Sequence, residues 1–316
     1  MSQEHDLKVD DAIDASSHNI LVVGSSNTDM VVQSDHLPRP GETVLGGTFF
    51  MNPGGKGANQ AVAAARLGGD VTFVCKVGND IFGQQASRLF EDEGIDTSFV
   101  FTDPVNPSGV ALISVDSNAE NCISVASGAN ANLLPSDLKQ LDKAMDKADL
   151  VLMQLEIPLV TVEHVADVAS RKGKRVILNP APACKLTDEL LGKLFLITPN
   201  ETEAEMISGI KVTDELSAKE AARVIKAKGV ENVIVTLGSK GALLYTGSIV
   251  EIIPAERVEA IDTTAAGDVF NGALVVALSE GYSLRDASRF ASKASAISVT
   301  RAGAQSSAPY RYEINQ

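Results

Sequence analysis

The sequence predicts an α/β fold in three layers, a parallel β-sheet flanked by helices on both faces, with a small separate β-sheet as a lid. Three observations carry this. Short apolar, β-branched runs alternate with helical patterns along most of the chain, the order that yields parallel strands joined by crossover helices. Those runs are apolar at consecutive positions, as strands buried on both faces must be. Two segments, 30–52 and 108–127, hold short strand patterns and turn residues without a helix.

The elements follow in order. Strand patterns lie at 20–24 (ILVVG), 71–78 (VTFVCKVG), 150–156 (LVLMQLE), 175–180 (RVILNP), 194–200 (LFLITPN) and 232–238 (NVIVTLG). Between them, an Ala-rich helix runs from Ala58 to Leu67, and further helices cover 83–93, 159–172 and 217–228. Gly173 and Gly229 are natural stops for the last two. The helix-poor segment at 108–127 reads as a hairpin turning at Asp116–Asn121. A small sheet inserted in this way suits a lid over an active site.

At 316 residues, 44% hydrophobic and 22% charged, the chain can bury a full core in one large domain with a smaller appendage. The net charge of −14 disfavours nucleic acid or anionic membrane as a partner. Three scattered cysteines, Cys75, Cys122 and Cys184, form neither a disulfide framework nor a zinc pattern, which fits a reducing, cytoplasmic setting. Residues 1–18 are polar and acidic, unlike a signal peptide, and read as a disordered extension ahead of a domain spanning 19–316. No apolar stretch approaches a membrane span.

In sheets of this class ligands bind at the carboxyl ends of the strands. The residues there are rich in hydrogen-bonding groups: Ser25 to Asp29 after the first strand, then Glu156, Asn179, Asn200 with Glu203, and Thr236 to Gly241. Each alone is explicable as turn or cap chemistry; the full set points to a site. Two motifs are sharper. Asn52-Pro53-Gly54-Gly55-Lys56-Gly57-Ala58-Asn59 runs straight into a helix. Its glycines permit close backbone approach to a polyhydroxylated ligand. It is neither a Walker A loop nor GxGxxG. Asp262-Thr263-Thr264-Ala265-Ala266-Gly267-Asp268 opens a second helix. Its small residues leave amides for an anion, and Asp268 stands in the first turn beside it.

With these residues in view, the chain resembles the ribokinase-type carbohydrate kinase family. DTTAAGD is similar to that family's DTxGAGD signature, with Ala265 or Ala266 where many members carry Gly, GGKGAN to its N-terminal signature, and Asn200-Glu201-Thr202-Glu203 to its NxxE element. The resemblance runs from about Asn19 to Tyr312 and is strongest to ribose-directed members, through GSSNTD, PRPGET, LNPAPA and TRAGAQSS. It implies a ribokinase-like fold and ATP-dependent phosphorylation of the 5-hydroxyl of D-ribose. Asp268 would be the base, with an anion hole at Ala265, Ala266 and Gly267. Asn27, Asp29, Gly55, Lys56, Asn59 and Glu156 match the sugar-binding positions. Asn200, Thr236 and Gly238 match the ATP positions, with Glu203 organising Mg²⁺ through water. Asp262, Thr264, Ser298, Arg301, Gly303 and Ser307 match a K⁺ site built largely of carbonyls. The family's lid, at 30–52 and 108–127 here, also forms a homodimer contact. Two other readings compete: a sugar-binding regulator without catalysis, which the retained Asp268 opposes, and a dinucleotide oxidoreductase, which the missing GxGxxG opposes.

Overall fold

The computed structural model describes residues 19–118 and 120–314; the expectation for 1–18 lies outside them. β1 (Asn19–Val23) is followed by β2 (Asn27–Gln33) and β3 (Thr48–Gly54), then by α1 (Lys56–Arg66). Next come β4 (Asp70–Gly78), α2 (Ile81–Asp92), β5 (Asp96–Asp103), and the hairpin of β6 (Gly109–Val115) and β7 (Asn121–Ala126). The chain continues through α3 (Leu141–Lys147), β8 (Leu150–Met153), α4 (Leu159–Arg171) and β9 (Arg175–Leu178). Then follow α5 (Asp188–Leu191), β10 (Leu196–Ile197), α6 (Glu201–Ser208) and α7 (Glu215–Ala227). β11 (Asn232–Thr236), β12 (Ala242–Tyr245) and β13 (Val250–Ile253) precede α8 (Ala266–Ser279), α9 (Leu284–Ser298) and the short α10 (Arg311–Ile314).

The large sheet has the order β13-β12-β11-β10-β9-β8-β1-β4-β5. From β11 to β5 each neighbouring pair is parallel. At the other edge β12 and β13 pair antiparallel. Their short connections cannot make the crossover that a parallel neighbour requires, so the sheet is mixed rather than parallel throughout. The three layers follow from β1 itself. Ile20 and Val22 join one hydrophobic cluster, with α1, α8 and α9. Leu21 and Val23 join the other, with α3, α4 and α7. A strand buried on both faces has no polar side to alternate, which is why its sequence reads as a continuous apolar run.

A second sheet, ordered β3-β2-β6-β7, arises from the two helix-poor segments. The sequence reading of Asn27–Asp29 as a loop after the first strand is corrected here. These residues open β2, and Asn27 pairs with Gly54 across β3 and with Gly109 across β6. Strand alternation therefore sends Asn27 and Asp29 to one face of the second sheet and Thr28 to the other.

In the large sheet the chain moves from β1 outward through β4 and β5, and later from β8 outward through β9, β10 and β11. The order thus reverses between β1 and β8, the place where such sheets open a crevice at their carboxyl ends.

Candidate active site

The crevice brings the ends of β1 and β8 together. Ser25, following β1, donates its hydroxyl to Glu156 Oε2 at 2.5 Å, and the Lys56 amide donates to the same oxygen at 2.9 Å. Glu156 is thereby locked beside the start of α1. Gly55 caps that helix with φ 90°, and a Cβ there would lie 2.7 Å from the Asn27 amide nitrogen. Only glycine satisfies both the left-handed backbone and the close approach. The helix starts at Lys56 rather than Ala58, so Lys56 and Asn59 lie on its first turn.

Asn27 is 8% exposed, and its Oδ1 accepts a hydrogen bond from Asn130 Nδ2 at 2.8 Å. Asn130 is held in turn by the Ser26 amide and carbonyl. With its oxygen engaged, Asn27 has its amide N–H groups left for a ligand's oxygen. Asn27 and Asp29 on β2, Lys56 and Asn59 on α1, and Glu156 after β8 thus converge.

Asp268 stands in the first turn of α8, 5% exposed. Its two oxygens accept from Asn59 Nδ2 and Gln60 Nε2, each at 2.9 Å. The helix begins from Ala265, whose φ of 59° is left-handed. This identifies Ala265 as the residue in the conformation that Gly adopts most readily, at a strain on the order of 1–2 kcal/mol. The first intrahelical bond at this end is Val269 N to Ala265 O. The Gly267 and Asp268 amides precede it and point out of the helix start.

Beside this loop lies a cavity of about 790 Å³, large enough for a nucleotide. Asn200, Thr236 and Gly238 line one side, and Thr263, Ala266 and Gly267 the other. Asn200 and Thr236 are brought together by an isolated parallel bridge. Glu203 is not in the wall. It forms a capping box with Asn200, accepting from the Asn200 amide at 2.9 Å and from its Nδ2 at 3.0 Å. With both oxygens occupied, Glu203 suits an indirect role toward a metal better than direct ligation.

The site is dense in carboxylates. Burial, then the charges of Glu156 and Asp268, push Asp29 up to about 6, against the opposing pull of Lys56. Lys56 is raised chiefly by Asp268, with further help from Glu156, Glu203 and Asp29, although burial opposes it. Burial also raises Glu203, and Asp268 adds to this, while the Asn200 amide and Lys56 resist. Lys56 is therefore the cation that holds this acidic group together, and the carboxylates are acceptors for hydroxyl protons.

The six positions matched to a cation gather less completely. Asp262 Oδ1 accepts from the Thr264 amide and Oδ2 from the Gly303 amide, both at 2.8 Å. Burial works against its charge, but these amides and the Thr264 side chain hold it below the ordinary carboxylate range. Ser298 and Ser307 are buried and donate their hydroxyls to Ser295 and Ala304 carbonyls, keeping lone pairs free. The Arg301 guanidinium pairs with Glu313, so its carbonyl is the atom with ligand chemistry. Among the described residues, no group of three or more His, Cys, Asp or Glu could hold a metal ion. A cation here would rest on carbonyls, hydroxyls and one carboxylate, donors suited to a hard monovalent ion.

Sequence reasoning missed Gln60, Gln154 and Asn130 as site residues. Gln154 left a signal, a polar residue inside the apolar run LVLMQLE. Asn130 left none, since its partners are remote in sequence.

A buried carboxylate at a helix start, between a pocket of hydroxyl-binding side chains and a nucleotide-sized cavity, is the layout of a kinase acting on a small polyol. The chain belongs to the pfkB family of carbohydrate kinases, whose pattern matches residues 17–311. It is 48% identical over 294 residues to a ribokinase of Haemophilus influenzae, covering 93% of this chain and 96% of that one. It is 40% identical over 299 residues to a deoxyribokinase of Salmonella typhi, covering 94% and 98%. The structure of Arabidopsis thaliana ribokinase complexed with ribose and ATP superposes with a TM-score of 0.88 at 33% identity, covering 94% and 97%. The protein is an ATP-dependent sugar kinase with a ribokinase-like fold.

Proposed function

We propose that the protein phosphorylates D-ribose, transferring the γ-phosphoryl group of ATP to the 5-hydroxyl to give D-ribose 5-phosphate and ADP. The observation that carries this reading is the place of Asp268, hydrogen-bonded to Asn59 on α1 and next in sequence to Gly267, which lines the large cavity. The sugar hydroxyl oxygen attacks the γ-phosphorus as the bond to the β-phosphate oxygen breaks. The hydroxyl proton passes to Asp268, which orients the nucleophile as charge develops. In the proposed anion hole at 265–268 the Gly267 and Asp268 amides would stabilise the equatorial oxygens of the transferring group, while the Ala266 amide already donates to the Thr263 carbonyl. Asn27, Asp29, Gly55, Lys56, Asn59 and Glu156 hold the sugar, and Asn200, Thr236 and Gly238 hold ATP. Mg²⁺ bound with ATP would neutralise phosphate charge, and Glu203 would help to hold it through water. K⁺ would lie among Asp262, Thr264, Ser298, Arg301, Gly303 and Ser307 and order the loop that carries the amides.

The second sheet is the lid of this site in our reading, and also the homodimer contact. Val32, Phe49, Met51 and Leu112 share one of its faces by register and are 43–58% exposed, a patch that water would not favour leaving open. A cytoplasmic location accords with three unpaired cysteines, and no helix among the described residues is long and apolar enough to cross a membrane.

2-Deoxyribose is the competing substrate, given the similarity to a deoxyribokinase. Asn27, with its oxygen held by Asn130, favours ribose because its free N–H groups suit a hydroxyl oxygen. A pocket built to hold that hydroxyl rejects the analogue lacking it by up to ~10⁴-fold. The test is ADP release with MgATP and D-ribose, 2-deoxyribose, fructose or adenosine, in potassium and then in sodium. Turnover highest on ribose and reduced in sodium is expected. Preference for 2-deoxyribose would overturn the reading of Asn27 while keeping the chemistry.

A further inference from the structure

Asp268 is held by two amide side chains of different character. Asn59 reaches Oδ2 from the sugar pocket, where it would exchange the contact for substrate. Gln60 reaches Oδ1 from behind, and it is fully buried. Gln60 Nε2 also donates to Asn179 Oδ1 at 3.0 Å, and its Oε1 accepts from Gln154 Nε2 at 2.6 Å. Gln154 is likewise fully buried. It follows β8 and packs so tightly on Gly24 that a Cβ there would lie 2.1 Å from its Oε1.

The chain of amides has a direction. A primary amide has one donor end and one acceptor end. Were Gln60 reversed, its oxygen would face the Asp268 carboxylate and its nitrogen would face the Gln154 nitrogen. Both contacts would be repulsive. The carboxylate, which can only accept, and Asn179 Oδ1, whose own Nδ2 donates to the Thr198 carbonyl, fix Gln60 as a donor, and Gln154 secures that orientation by donating to the Gln60 oxygen. The acceptor left over at the end of the chain is Gln154 Oε1, which is buried without a hydrogen-bond partner. A buried unpaired acceptor is costly, and here it is located at the end of the chain farthest from the carboxylate.

We infer that Gln60, held by Asn179 and Gln154, is a positioning residue that anchors Asp268 Oδ1 and leaves Oδ2 as the oxygen that receives the substrate's proton. This rests on Asp268 being the base. Donation to Oδ1 engages that oxygen and leaves Oδ2 to the substrate. It also stops the carboxylate from rotating when Asn59 turns to the sugar. The charges that face Asp268 from neighbouring elements are Lys56 on α1, Asp29 on β2 and Glu203 on α6. A change confined to Gln60 leaves all three in place.

The experiment compares kcat and KM for Gln60→Leu, Gln154→Met and Asp268→Asn, with thermal unfolding as a check on folding. Gln60→Leu is expected to lower kcat by about 10- to 100-fold, the effect of losing a hydrogen bond to a charged group. KM for both substrates should stay within about threefold, as expected when only transition-state interactions are lost. Gln154→Met, which takes the donor away from Gln60 Oε1, should lower kcat by less with KM again little changed, and it carries the test if Gln60→Leu does not fold. A folded Gln60→Leu with wild-type kcat, beside an inactive Asp268→Asn, would overturn the positioning role alone. An active Asp268→Asn would overturn the assignment of the base itself.

Discussion

At Asp29 burial and two neighbouring carboxylates lift the carboxyl to about 6, above the range of an unfolded chain. The folded state therefore holds its proton more firmly than the unfolded state does. Stability is lost as pH rises from the unfolded carboxyl range through 6, and the penalty is complete above that. Asp29→Asn should raise the denaturation midpoint of the ligand-free protein at pH 8 and raise it far less at pH 4, near the unfolded carboxyl range, where the carboxyl is protonated in the folded state and largely so in the unfolded one. An equal effect at both values would show that Asp29 carries no such charge penalty. Residue-level chemistry was legible in sequence where a motif concentrates it. The small residues before Asp268 announce an anion loop, and Gly55-Lys56-Gly57 announces close backbone approach. Gln60 and Asn130 were not legible, because their importance lies in which end of an amide faces which partner, and no linear pattern encodes that.

At the scale of elements, the helices and buried strands follow the apolar periodicity closely, since burial on both faces leaves a strong signal. The failures are at the margins. LVLMQLE reads as strand through Glu156, whereas β8 ends at Met153, because Gln154 turns its amide to Gln60 instead of continuing the ladder. β5, β12 and β13 escaped notice, lying at the sheet's edges. The second sheet was legible as helix-poor sequence, but not its register, which places Asn27 and Asp29 in a strand. Its exposed face of Val32, Phe49, Met51 and Leu112 belongs to the proposed dimer contact. A charge on that face, as in Phe49→Asp or Leu112→Asp, should convert a dimer into monomer in sedimentation velocity. A variant that keeps the wild-type mass would place the contact elsewhere.

For the molecule as a whole, the architecture explains how an acidic protein handles a polyanionic substrate. The net charge is −14, yet the large cavity is bounded by Ala266 and Gly267 at the start of α8, where the amides and the positive end of the helix dipole favour an anion. The reversal of strand order between β1 and β8 gathers the sugar pocket, and α8 delivers the carboxylate and the amides to its edge. All of this converges on Asp268. The most direct test is ribose-dependent ADP release by Asp268→Asn, with ATP binding measured on the same sample. The account predicts ATP binding close to wild type and turnover lowered by about 10²–10⁴-fold, the contribution of a positioned base. Turnover within a few-fold of wild type would contradict it and leave Asp268 as no more than an acid at a helix start.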